Sequence, residues 1–220
     1  MHIVKTVREK MGKIRDYFSA MGNSFLIWRK PPRLTDVDGL AVFCLERASY
    51  VAQTTLYGYL RTRAGLQHFN LFTDKKFTAL LKPARTRLVL VCLDDLAVYA
   101  SAIVPDLSSA QRADVAMQLF AQGIAALHDA ALPQADLAQA QEDFDARSHL
   151  IDWAARAAPD KGIAAFRKSA TALIELAPII EQLKKYDDEI VTNSMHFKWH
   201  EVRSQLRARL DAHALLASLA

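Results

Sequence analysis

The chain has 220 residues, half of them apolar and a quarter charged, with a formal charge of +4. A chain of that length buries about 70% of its unfolded surface, so neither disulfides nor a metal is needed to hold a core. Residues 1–30 carry seven cations against two anions, which leaves −1 for all the rest and speaks against a body that binds polyanions generically.

Seven glycines and seven prolines are few turn-formers, so the elements are expected to be few and long. The first, over residues 3–28, sets Val4, Val7, Met11, Ile14, Phe18, Met21, Phe25 and Trp28 at alternating spacings of three and four. That heptad stripe predicts an amphipathic helix, ended by Pro31-Pro32, whose other faces carry cations such as Arg8, Arg15, Arg29 and Lys30. Such a helix packs its stripe on its own body, on a partner helix or second copy, or on an anionic membrane surface. Nucleic acid is not expected, because the aromatics lie on the seam rather than among the cations.

Thr35 or Asp36 caps a helix over about Val37–Arg63, with Gly65 as its stop. Within it Tyr57 and Arg61 lie four apart, and with Arg63 they form an aromatic–cation cluster. Residues 65–73 read as a loop with buried Phe69 and Phe72, and Thr73 or Asp74 caps a helix from Lys75 that Pro83 kinks or interrupts.

Arg85–Val104 holds the longest purely apolar run, Leu88–Leu93, and resumes after Asp94-Asp95. No second run of that kind could pair with it as a strand, so it predicts a central buried helix. At 17 residues with two aspartates, Leu88–Val104 is too short and too charged to span a membrane. Further helices are expected over Ala110–Ala131 with Ser108 or Ser109 as cap, over Asp136–Ala157, over about Ile163–Leu176, and over Tyr186–Leu219. The last would reach about 50 Å if unbroken. The fold class is therefore all-α: residues 1–32 as a basic amphipathic helix, and 33–220 as one multi-helix bundle around a buried central helix.

Carboxylates inside an apolar helix need partners. Arg61, Arg63, Arg85, Arg87 and Arg203 are the expected ones for Asp94 and Asp95. With Tyr57 and Trp199 they outline a polar pocket, either a structural ion pair or a site with a perturbed carboxylate. His196 and His200 are four apart, but no Cys or third His accompanies them, so no metal site is expected. No nucleophile elbow and no phosphate-cradling glycine loop occurs, so no catalytic signature and no cofactor is expected. Cys44 and Cys92 have no redox or ligand spacing and fit a reducing compartment. With no signal-peptide core, a cytoplasmic location is expected, with peripheral contact at the inner membrane through the first helix.

The phrases TLYGYLRTRAG (55–65) and LKKYDDEIVTNSMHFKWHEVRSQLRARLDA (183–212) resemble an uncharacterised family of alphaproteobacterial helical proteins, over about residues 37–212. Automatic labels sometimes call such proteins esterases, a label for which no nucleophile elbow is present. The resemblance implies a bacterial, all-helical protein. Residues 1–30 lie outside it. Function is expected to be non-enzymatic: an adaptor, assembly or chaperone-like protein docking through its first helix. The alternative is a small-ligand protein or hydrolase using the Asp/Arg pocket.

Overall fold

The computed structural model describes residues 31–127, 131–157 and 164–219. The heptad helix expected over 3–28 lies outside them, and so do Val4 to Lys30 as binding residues. Arg33–Ala220 form one compact unit. Its helices are α1 (Val37–Ala64), α2 (His68–Thr73), α3 (Lys75–Ala102), α4 (Ser109–Ala125), α5 (Gln134–Ser148), α6 (Trp153–Ala157), α7 (Arg167–Leu176), α8 (Glu181–Lys184), α9 (Asp188–Arg209) and α10 (Ala212–Ser218). The described residues form a multi-helix bundle without a named strand, as the composition predicts.

The bundle is organised around α3. Cys92 to Ala102 are buried without interruption, because α1, α4 and α7 all pack on this helix. The Ser101 hydroxyl within that stretch is satisfied by donating to the Arg112 carbonyl at 2.5 Å. Side chains set the starts of three helices: Asp36 accepts from Gly39 N at 2.7 Å, Asp74 from Phe77 N at 2.7 Å, and Ser108 and Gln111 form a reciprocal capping box on α4.

Helix α4 approaches α3 closely at Gly123, where a Cβ would lie 2.5 Å from Leu93 Cδ2. Gly123→Val therefore forces Leu93 out of its rotamer. Overpacking of this kind costs about 2 kcal/mol, and thermal denaturation is expected to show a midpoint lower by about 4–8 °C.

Several boundaries differ from the sequence reading, each for a physical reason. Helix α3 runs through Pro83, so of the kink or interruption expected there the interruption does not occur. The hydrogen bond that proline forfeits belongs to the carbonyl of Ala79, an exposed residue that solvent can serve. Residues 65–73 form a 3₁₀ turn and α2 rather than a loop, and Phe69 is exposed rather than buried. Helix α4 stops at Ala125, six residues early, and the element expected over 136–157 breaks at His149–Asp152 between α5 and α6. The final helix is broken at Leu210-Asp211. There Leu34 donates to Arg209 O at 2.9 Å and accepts from Asp211 N at 3.0 Å, so the backbone leaves the helix to pair with the segment before α1. Asp211 then caps α10 through Ala214 N.

Candidate functional site

Asp94 and Asp95 sit in the C-terminal third of α3, opposite the first turn of α7. That turn has no side-chain cap of its own, since Phe166 occupies the N-cap position. Its N–H groups have no partner within the helix and need an acceptor, and Asp95 supplies one: Ser169 N donates to Asp95 Oδ2 at 2.9 Å. Asp94 faces the neighbouring cations. Arg147 of α5 donates to its Oδ1, and Lys168 Nζ lies 2.6 Å from its Oδ2. Together the two carboxylates join α3 to α5 and α7, and both also lie at the positive end of the α7 dipole.

The two differ in environment. Burial raises the Asp95 carboxyl to about 7; the Ser169 backbone N–H pulls it back, and the neighbouring Asp94 charge pushes it up. Asp94 reaches the wall of a cleft of about 220 Å³, which is also lined by Phe120, Asp143, Phe144, Arg147 and Lys168. Phe120 and Phe144 stack there at 4.2 Å, and the Arg147 guanidinium lies 5.4 Å above the Phe144 ring. Each Asp94 oxygen is engaged by a cation, which leaves this carboxylate poorly placed to take a proton from a ligand.

Arg147→Ala is expected to destabilise by about 2 kcal/mol, since it strips one partner from a nearly buried carboxylate whose other partner remains. Lys168→Ala should cost less, because the lysine side chain is 49% exposed. Chemical denaturation of the two variants gives the order.

The expected pocket does not assemble as one site. None of Arg61, Arg63, Arg85, Arg87 or Arg203 reaches either aspartate. Helix α1 packs on α3 through its apolar face, which leaves Arg61 exposed, and the α1 C-terminus lies against α9. There Arg63 pairs with Asp187 through two bonds, one at 2.7 Å from Nε, and Tyr59 Oη donates to the same carboxylate at 2.6 Å. Burial raises the Tyr59 hydroxyl above its usual range. Tyr57 lies 5.5 Å from Phe72, and Arg87 pairs with Asp136 at 3.5 Å on the surface. Arg203 donates to Tyr99 Oη at 3.4 Å and sits 5.5 Å above its ring.

Trp199 does join the Asp95 neighbourhood, by a route of its own. Its Nε1–H donates to Ser169 Oγ at 3.0 Å, and its ring stacks on Phe166 at 4.4 Å. Sequence reading missed Arg147, Lys168, Ser169 and Asp187. The one available signal was the uncapped first turn of α7, which calls for an acceptor from elsewhere.

A second cleft, of about 450 Å³, lies where α3 ends, between Ile103–Pro105, Arg112, Arg207 and Leu210. Arg112 Nη2 is committed there to Val104 O at 3.1 Å. Among the described residues no three His, Cys, Asp or Glu side chains converge as a metal site, and no helix is long and apolar enough to cross a membrane. No family model, curated protein or solved structure matches the chain.

Proposed function

We propose that this is a non-enzymatic docking protein, an adaptor or assembly factor that attaches to a partner protein or a membrane surface through its first thirty residues. The observation that carries the reading is the unbroken stripe from Val4 to Trp28, bordered by seven cations. The geometry of the body supports it: the polar cluster of Asp94 and Asp95 is spent on bracing α3 against α5 and α7.

The test uses the full chain with Phe18→Asp and Phe25→Asp, together with a photo-crosslinking side chain introduced at Met21. Wild-type stripe residues are expected to give lipid or protein adducts at that position in the native cell, and the double substitution to abolish them. Identical adducts from both proteins would end the proposal.

A second reading, small-ligand binding, is favoured by the cleft beside Asp94. Its volume of about 220 Å³ falls below the roughly 300–1,000 Å³ of usual ligand pockets. Only a small zwitterion that exchanges with the Asp94–Lys168 pair would fit. Ligand-induced stabilisation that Lys168→Ala removes would favour this reading over docking.

A further inference from the structure

We infer that the end of the bundle built from residues 57–87 is a contact face for an anionic phospholipid bilayer, separate from the N-terminal stripe and independent of it. Three elements meet at this end. The Phe72 ring of α2 lies 5.5 Å from Tyr57 of α1 and 6.1 Å from Phe77 of α3, which ties the C-terminal turns of α1 and the first turns of α3 to the short helix between them.

The apolar residues it leaves uncovered are large. Leu66 is 96% exposed, Phe69 73% and Leu80 61%. Scattered single apolar residues on a surface are ordinary, but a nearly bare leucine three positions from a bare phenylalanine, at a turn between helices, is a projecting apolar tip.

Its electrostatic setting distinguishes this tip from other exposed apolar residues. Residues 57–87 hold seven cations against the single Asp74, a net +6. The near-neutral total of the body conceals this, because later acidic segments cancel it. Two of the seven are neutralised from outside: Arg63 by Asp187 and Arg87 by Asp136. Arg61, Lys75, Lys76 and Lys82 are exposed, and among the described residues no carboxylate lies within ion-pair distance of them. By contrast Ile180, Leu183 and Ile190 stand among Glu181, Asp188 and Glu189, which a negative surface repels. Glu181 and Asp188 lie on the Tyr59 side of α1, so the lipid-facing side is the one carrying α2 and the first turns of α3.

Aliphatic and aromatic side chains projecting among unpaired cations match the lipid interface, where the apolar groups enter the acyl boundary and the cations meet anionic headgroups. Nucleic acid would use the cations but has no use for Leu66 and Leu80, since its bases stack on rings.

The experiment is sedimentation of the full chain with vesicles of phosphatidylcholine alone, and with about a third phosphatidylserine. The variants are Leu66→Ser with Phe69→Ser, and Lys75→Glu with Lys76→Glu, each made in the wild-type and the Phe18→Asp, Phe25→Asp backgrounds. These side chains are exposed, so folding is preserved, which circular dichroism verifies. Each pair is expected to weaken binding to the anionic vesicles at least tenfold in both backgrounds, with little binding to phosphatidylcholine alone.

A dye attached at Leu66→Cys gives the location directly. Cys44 and Cys92 are buried with thiols pushed far up in pKa, so labelling is selective. Blue-shifted dye emission on anionic vesicles is the expected result. Undiminished vesicle binding by both variant pairs, equal binding to neutral vesicles, or an unshifted dye would overturn the inference. Loss confined to the stripe background would leave N-terminal docking standing without it. Loss confined to the body variants would remove membrane docking through the N-terminal stripe and keep this inference.

Discussion

Trp199→Ala is expected to lower stability by about 4 kcal/mol, a large fraction of what a domain of this size possesses. The indole is 1% exposed and one of the largest side chains in the core. Its ring stacks on Phe166 at 4.4 Å, and Phe166 in turn lies 5.2 Å from Tyr99, so three aromatics form a column between α9, the start of α7 and α3. The polar edge is equally engaged: Nε1–H donates to Ser169 Oγ at 3.0 Å, and that hydroxyl donates in turn to Phe166 O at 3.1 Å. Truncation removes the column's outer ring, opens a cavity where neighbours on three helices cannot all collapse, and takes one partner from Ser169. Trp199→Phe separates the contributions. It keeps most of the stack and loses the N–H bond, for a cost of about 1–2 kcal/mol. Urea denaturation of the three proteins measures both steps. A cost for the alanine variant no greater than for phenylalanine would mean that α9 is held to α7 by something other than this column.

What the sequence made legible follows from which interactions are local. Helix α3 was readable because a lone apolar run has no strand partner, and its aspartates were recognisable as groups that need partners. The caps at Asp36, Asp74 and Ser108 were narrowed to two candidates each, since a cap bonds within three residues of itself. Which cations meet Asp94 was not readable. Arg147 and Lys168 are 53 and 74 positions away, and only the docking of α5 and α7 brings them there. Proximity along the chain favoured Arg85 and Arg87, yet Arg87 lies on the outward face of α3, where it meets Asp136.

The break at Leu210 was hidden in the same way, because its cause is Leu34 at the other end of the chain. The charge sum was silent on position. Summed over residues 31–220 the charge is −1, but the sum discards position: residues 57–87 alone carry +6, and Asp187 and Asp136 pair with only two of their cations, Arg63 and Arg87.

Asp95→Asn is expected to flatten the pH dependence of stability between about pH 4 and pH 7. Burial holds the Asp95 carboxyl at about 7 in the folded protein, against 3.8 for an ordinary aspartate. Between those values the native state keeps a proton that the unfolded chain has released, so stability falls as pH rises through the window. Below it both states are protonated and the group costs nothing. Above it both are ionised, and the full penalty applies, at most about 4 kcal/mol from three pH units at 1.36 kcal/mol each.

Asparagine cannot ionise, and its Oδ1 still accepts from Ser169 N. The variant should therefore match the wild type near pH 4 and exceed it at pH 8, and the difference between the two curves isolates this one group from every other titrating residue. Asp95→Ala is the counterpart. It leaves the Ser169 N–H buried at the start of α7 without an acceptor, a cost of about 1–3 kcal/mol, expected below the window where the wild-type carboxyl is neutral. At high pH relief of the ionisation penalty offsets that cost, so the alanine variant should improve relative to the wild type as pH rises. Urea midpoints for the three proteins across the range give the comparison. Parallel curves for wild type and Asp95→Asn would show that the carboxyl ionises as easily in the core as in water, and that the brace between α3 and α7 is an ordinary charged cap.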